Sequence, residues 1–186
     1  MSRIKTLAEK AALVIGVALT WWAAFSLNDT VFSQAELSAR AHWVFLPAAL
    51  RVISVLVFEE LGVAGLIIGA YITLPHETPN DLPYELMLSV TSGFAPLVAI
   101  WLARTITPIA ADLSNLRGKH IILLSVVSAA ANSLLVNATM ALAGRLAQGW
   151  TQVVAIFVGD MLGTAIVLGS IAMLLSALHK SRNFRQ

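Results

Sequence analysis

Two charged side chains, Arg51 and Asp160, lie in the middle of apolar stretches of this sequence. An isolated Arg or Asp at mid-depth in a bilayer costs at least about 2.5–3.5 kcal/mol, so each requires a partner or a wet cavity. One interpretation is an ion pair between Arg51 and Asp160 that fixes the order of the helices. Arg51 could instead reach Glu59 or Glu60. The functional interpretation is a polar cavity in which Arg51 meets an anionic ligand or Asp160 takes up a proton.

Two amides add to this polar set. Asn132 and Asn137 fall in the middle of a third apolar stretch. Amides inside membrane helices are typical of interhelical hydrogen bonding, and they can also contact a ligand. The candidate intramembrane polar site therefore comprises Arg51, Asn132, Asn137 and Asp160.

Other site chemistry is absent from the sequence. No nucleophile elbow, phosphate-binding loop or pair of catalytic carboxylates is present, so we expect neither an enzyme nor a cofactor. There is no cysteine, which excludes disulfides and thiolate metal sites. The histidines lie at segment ends or in loops without metal-ligand spacing, and we expect them to be solvated: His42, His76, His120 and His179.

The composition indicates a membrane protein. Apolar residues supply 58% of the 186 and charged residues only 12%, whereas charged residues are about a quarter of a soluble domain. The mean hydropathy is +0.81. The basic residues form short clusters beside apolar runs rather than one patch, so nucleic-acid binding is not expected. The lipid bilayer is the first partner that the sequence predicts.

The apolar runs predict an all-α, polytopic bundle of transmembrane helices in a single domain, residues 1–186. A spanning helix needs about 20 apolar residues. The second and third runs are shorter, so they could form a tight helical hairpin or a broken, re-entrant element. We expect about six spans, with four or five as alternatives, at approximately 11–27, 43–58, 61–74, 86–103, 121–143 and 153–178.

The distribution of basic residues gives the expected orientation. Six spans put both termini and the 104–120 loop on one side, whereas the opposite loops hold only Arg40 and Arg145. By the positive-inside rule both termini are cytoplasmic, as expected for a multi-pass protein of a bacterial inner membrane. The first run also resembles a signal peptide, but without a clear cleavage site an uncleaved span is favoured. The clustered bases are Arg3, Lys5, Lys10, Arg104, Arg117, Lys119, Lys180, Arg182 and Arg185.

Small residues and a proline predict where helices pack closely. Gly65 and Gly69 form a small-xxx-small pair, and Gly159 and Gly163 flank Asp160, so another helix can approach both places. Pro47 lies one turn before Arg51 and is expected to loosen that helix. The tryptophans lie near segment ends, where interfacial anchors are expected: Trp21, Trp22, Trp43, Trp101 and Trp150.

Four short stretches occur in a recognisable order: residues 43–52 (WVFLPAALRV) and 60–69 (ELGVAGLIIG), followed by 131–135 (ANSLL) and 157–163 (FVGDMLG). Their order resembles the bacterial membrane-associated sensor family (MASE, type one). The resemblance covers roughly residues 43–176. It implies that Pro47, Asn132, Asp160 and Gly163 occupy motif positions.

The resemblance implies a non-enzymatic module that acts in sensing or as a helper subunit of a larger membrane assembly. Members of that family are normally fused to a histidine kinase or a diguanylate cyclase. We expect no such output module in this protein, and therefore signalling through another membrane or cytoplasmic protein, with a possible small-molecule ligand. In length and in number of spans the chain also resembles substrate-binding components of energy-coupling-factor vitamin transporters. A purely structural accessory subunit is the third alternative.

Overall fold

The computed structural model describes residues 6–38, 41–74, 81–107, 118–146 and 148–183. Within these residues the chain is helical apart from one small strand pair. The helices are α1 (Leu7–Phe32), α2 (Ala48–Phe58), α3 (Glu60–Ile72), α4 (Leu82–Ile106), α5 (Gly118–Leu142) and α6 (Trp150–Asn183). A 3-10 turn (Ser33–Ala35) leads from α1 into the antiparallel strands β1 (Glu36–Ser38) and β2 (Ala41–His42).

Four of the helices are long and apolar enough to cross a membrane. They are the first helix with its 3-10 extension, Leu7–Ala35, then Leu82–Ile106, Gly118–Leu142 and the Trp150–Ile171 part of α6. At 1.5 Å per residue, a helix of 25 residues is about 37 Å long, which exceeds the roughly 30 Å of hydrocarbon in a bilayer. The expectation of an all-helical protein with membrane-length helices is therefore confirmed.

The second and third apolar runs form a hairpin of two short helices. With 11 and 13 residues, α2 and α3 are roughly 16–20 Å long, and neither could cross a bilayer alone. The chain reverses at Glu59, whose φ of 52° and ψ of −124° end α2. Glu59 and Glu60 are both exposed at this turn. The α2–α3 element is therefore a tight hairpin of two short helices, one of the two forms expected.

The start of the second run is not helical, in contrast to the expectation for residues 43–58. Pro47 is the N-cap of α2 and does not loosen a helix that has already begun. The backbone of residues 41–47, which we term the entry segment, is bonded instead to other parts of the fold. The Trp43 amide donates to the Ala35 carbonyl at 2.8 Å. The Leu46 amide donates to Asn28 Oδ1 at 2.9 Å, which satisfies a backbone group that a helix would have paired internally.

The two glycine pairs lie at close contacts between elements, as the sequence predicted, but the partner of the second pair is not a helix. Gly65 and Gly69 of α3 face α1, where an added Cβ would lie 2.6 Å from Val17 and 2.8 Å from Trp21. Gly159 and Gly163 of α6 face the entry segment and not another helix. A Cβ at either position would collide with a backbone carbonyl oxygen of that segment.

Side-chain contacts fix the directions of the helices. Thr91, early in α4, shares a hydrogen bond of 3.1 Å with Thr139, late in α5. Ser133 of α5 donates to the carbonyl of Val153, early in α6, at 2.6 Å. These helices are therefore antiparallel in sequence order. The entry segment lies at the end of the bundle where α1, α3 and α5 finish, which we term the entry end.

Candidate functional site

Three of the four residues of the predicted polar site come together. Arg51 of α2 donates from one terminal nitrogen to Asp160 Oδ2 of α6 at 2.8 Å. Asn132 of α5 donates from Nδ2 to the same oxygen at 2.6 Å. Only 7% of Arg51, 2% of Asn132 and 3% of Asp160 is exposed. The buried carboxylate is thus held by a cation and an amide from two other helices, and of the alternatives for Arg51, Asp160 is the partner.

Aromatic rings cover the guanidinium of Arg51. Its central carbon lies 5.0 Å from the ring centroid of Trp21 and 5.2 Å from that of Phe45. The Trp21 indole donates from Nε1 to Oγ1 of Thr73, the C-cap residue of α3, at 3.0 Å, so this ring is fixed in place. A cation over an aromatic face gains about 0.5–2 kcal/mol, with the larger values away from water. The rings therefore partly replace the water that Arg51 lacks.

The cluster of Arg51, Asn132 and Asp160 forms part of the wall of a cavity with a volume of about 90 Å³. Its apolar wall includes Trp21 and Phe25 of α1 and Met140 of α5. Further polar groups come from His42, Thr73, Ser89 and Ser92. The cavity lies toward the entry end, since it is lined by late residues of α1, α3 and α5 and by early residues of α4 and α6.

Some polar atoms in this wall have no hydrogen-bond partner among the described residues. They are Arg51 Nε, Asn132 Oδ1 and His42 Nδ1, and each is itself buried. Leaving a buried donor or acceptor unpaired costs about 1–3 kcal/mol. Unpaired buried groups of this kind require a bound water, a bound ion or a functional explanation. Because all three belong to residues that line one cavity, the arrangement is suited to holding water or a small polar molecule.

His42 is the residue of this wall that sequence reasoning missed. It was expected to be solvated, but only 5% of it is exposed. Its ring stacks on Phe45 with centroids 5.5 Å apart and meets Phe25 edge-on at 6.4 Å. Burial lowers the pKa of His42 below its usual 6.5, although the carboxylates of Glu36, Asp29 and Asp160 oppose this shift. His42 is consequently neutral at pH 7.

The expectation of solvated histidines is also wrong for His120, of which 4% is exposed. His76 lies outside the described residues, as does the side chain of His179. The position of His42 after an apparent loop gave no sign of burial. The stretch of apolar residues that follows it was the only available signal.

Trp21 also differs from the expectation that all five tryptophans are interfacial anchors. It is 3% exposed and packs on Arg51, whereas its neighbour Trp22 is 51% exposed. Adjacent residues on a helix point about 100° apart, so a helix that buries one narrow face can bury one of two neighbouring tryptophans and expose the other. This geometry is the signal that could have distinguished them.

Asn137 lies apart from the cavity. It is buried on α5, where its Nδ2 donates to the Ser133 carbonyl at 2.7 Å. Five residues along a helix correspond to a rotation of about 140°, so Asn132 and Asn137 face different neighbours. Asn137 therefore belongs to helix packing in this structure, and it offers a matched control for Asn132.

A second ion pair joins the loop after α5 to the start of α4. Arg145 donates to Asp81, and its guanidinium lies 4.4 Å from the ring centroid of Tyr84. The two charged side chains are 37% and 33% exposed, so this pair is solvated, unlike Arg51–Asp160. Within the described ranges, no group of three or more His, Cys, Asp or Glu side chains is arranged to hold a metal ion.

Comparison with known proteins identifies no relative of this chain. No protein-family model, no curated protein and no solved structure matches the chain. The resemblance to the membrane-associated sensor family, and that to energy-coupling-factor components, both stay predictions from the sequence.

Proposed function

We propose that this chain is a non-enzymatic module of a bacterial inner membrane that acts in sensing or as a helper subunit of a larger membrane assembly. In this proposal all six helices lie in the membrane region and both termini are cytoplasmic. The observation that carries it is the buried cluster of Arg51, Asn132 and Asp160 beside a cavity. This cluster joins the α2–α3 hairpin to the long helices α5 and α6, beside a cavity that a ligand can occupy or leave.

The hairpin is the element that would transmit a change at the cavity. Arg51 lies near the start of α2, and its contact with Asp160 ties α2 to α6. The other end of the hairpin is the exposed turn at Glu59 and Glu60, for which the positive-inside rule predicts the cytoplasmic side. A ligand or partner that binds one arrangement of this cluster better than another shifts the population toward that arrangement. The turn is then positioned to report the shift to a cytoplasmic protein.

The test is gentle extraction from the native membrane, followed by mass spectrometry of the proteins and small molecules that co-purify. A stoichiometric kinase or cyclase supports sensing, and an energy-transducing complex supports the helper subunit. The matched comparison is Asp160→Asn against Asp81→Asn, which removes the charge of the exposed pair. We expect the partner to be lost or reduced only with Asp160→Asn. Retention of the full complement by both variants would contradict a role for the buried cluster.

The second candidate is a substrate-binding component of a small-molecule transporter of the energy-coupling-factor type. The location of the cavity favours it, since the entry end is opposite to the end where the basic residues Lys10, Arg104 and Lys119 lie on their helices. In the expected orientation the cavity is thus near the outer face, where a substrate would arrive. This candidate requires separate ATPase subunits among the co-purified proteins. A partner complex without ATPase subunits would eliminate it.

A further inference from the structure

The cavity wall contains polar groups but carries almost no net charge. The cation of Arg51 and the carboxylate of Asp160 neutralise each other at 2.8 Å. His42 is neutral because its burial lowers the pKa of the ring. The remaining polar lining residues, Thr73 and Ser89 among them, are uncharged. A ligand with a net charge would therefore need to separate the ion pair or remain uncompensated, and a buried uncompensated charge is strongly unfavourable.

The unpaired atoms specify hydrogen-bonding capacity as well. Arg51 Nε is a donor that lacks an acceptor, and Asn132 Oδ1 is an acceptor that lacks a donor, within the described part of the chain. The assignment of the amide follows from its Nδ2 donating to Asp160, since an amide oxygen could not approach that carboxylate at 2.6 Å without repulsion. A molecule that complements these two atoms presents one acceptor and one donor, and His42 Nδ1 is the third unpaired atom of the same wall.

The size of the cavity limits the molecule further. One water needs roughly 10–15 Å³ of such space, and the volume is about 90 Å³. The cavity therefore has room for about six to nine water-sized groups. Pockets for drug-sized ligands are several times larger, at about 300–1,000 Å³. Large vitamins and nucleotides do not fit this volume without rearrangement.

We propose that the cavity binds a net-neutral solute of a few heavy atoms that carries a hydrogen-bond acceptor beside a donor, as a primary amide does. The acceptor takes the Arg51 Nε–H and the donor satisfies Asn132 Oδ1, while the Arg51–Asp160 pair remains intact. This inference deepens the proposed function and rests on it only for the biological meaning of the ligand. The binding itself is a property of the cavity and can be measured without any partner protein.

Three probes of almost the same shape test the charge requirement in the unaltered protein. Acetamide is neutral and has an acceptor and a donor, acetate is an anion without a donor, and acetamidinium is a cation without an acceptor. Each is titrated against the full chain in lipid nanodiscs by ligand-observed saturation-transfer NMR, with empty nanodiscs as the blank. We expect saturable acetamide binding in the millimolar range, at least about tenfold tighter than that of either charged probe.

Two asparagine variants test the location. Asn132→Ala is expected to abolish the saturable acetamide signal, and Asn137→Ala on the same helix is expected to keep it. No saturable signal from the unaltered protein would mean that the cavity holds only water, and the proposal would be overturned. Equal binding of the three probes would also overturn it, as would full acetamide binding by Asn132→Ala. If Asn132→Ala does not fold, the three-probe comparison still decides.

The two proposals fail in different ways. A protein that binds acetamide selectively but co-purifies with no partner retains the ligand site and loses the role in a larger assembly. A protein that has a stoichiometric partner but no selective probe binding retains the assembly role and loses this ligand class.

Discussion

Neutralising Arg51 or Asp160 alone is expected to destabilise the protein more than neutralising both. The variants are Arg51→Met, which keeps much of the side-chain length, Asp160→Asn, and the double variant. Removing one partner of a buried ion pair typically costs about 3–5 kcal/mol, whereas replacing both partners is often close to neutral. The same physics applies here because both side chains are almost fully buried, at 8% and 5% exposure.

The contacts in the structure place the single variants near the lower end of that range. After Asp160→Asn, Arg51 still faces the rings of Trp21 and Phe45. After Arg51→Met, Asp160 still accepts a hydrogen bond from Asn132. We therefore expect a loss of about 3 kcal/mol in the free energy of unfolding for each single variant and about 1 kcal/mol or less for the double. At roughly 2–4 °C per kcal/mol for a chain of this size, each single variant melts about 6–12 °C lower.

The assay is thermal denaturation of the purified protein in detergent, in which the readout is the fraction of protein that stays monodisperse at each temperature. The matched control is the exposed pair, with Arg145→Met, Asp81→Asn and their double variant. Exposed pairs contribute only about 0–1 kcal/mol, so these three variants should melt close to the unaltered protein. A double variant of the buried pair that loses the sum of both single losses would show that each charge is solvated independently. The reasoning about a shared low-dielectric site would then be refuted.

Three further predictions concern contacts around the cavity and the hairpin. Gly163→Ala places a Cβ against a carbonyl oxygen of the entry segment and should lower the free energy of unfolding by about 1–3 kcal/mol, measured by thermal denaturation. Gly169→Ala has open space around the added Cβ and should be neutral or stabilising. Equal effects of the two variants would contradict the close approach at Gly163. Because burial lowers the pKa of His42, the unfolded chain binds a proton at this ring more readily than the folded chain does. The stability that His42 contributes should therefore be complete above pH 6.5 and fall as the pH drops to the folded-state pKa. His42→Gln should remove this part of the pH dependence of the melting temperature, and an unchanged pH profile would contradict the buried, neutral ring. Glu59→Gly relieves a positive φ, so it should raise the melting temperature and increase the free energy of unfolding by about 1 kcal/mol. Glu60→Gly removes the acidic side chain from the first turn of α3 and should lower the melting temperature.

The apolar, membrane-length helices and the need of each buried charge for a partner could be predicted from the sequence. Hydropathy and the cost of a buried charge depend mainly on residue type and on the residues nearby in the chain. The adjacent acids Glu59 and Glu60 also indicated the break between the second and third helices. For the same reason the glycine pair Gly65 and Gly69 could be assigned to packing, since small residues at that spacing serve close approach in most membrane helices.

The path of residues 43–46 could not be predicted, because an apolar run suits a helix and an extended strand alike. Hydrogen bonds to distant groups decide it: Phe45 donates to the Gly159 carbonyl at 3.1 Å, and Leu46 donates to Asn28. Those partners lie far away in the sequence, so no local pattern reveals them.

Contacts between residues distant in the chain also decide which side chains form the site. Asn132 and Asn137 have the same chemistry and lie on the same helix, yet only Asn132 reaches Asp160. His42 and Trp21 have the types expected at a membrane surface, yet both are buried around the cavity. The sequence alone determined that a polar centre must exist inside an apolar protein, since each charge needs a partner wherever the helices lie. Only the tertiary structure decided which side chains form that centre, because this depends on the rotation of each helix about its axis and on contacts between residues distant in the chain.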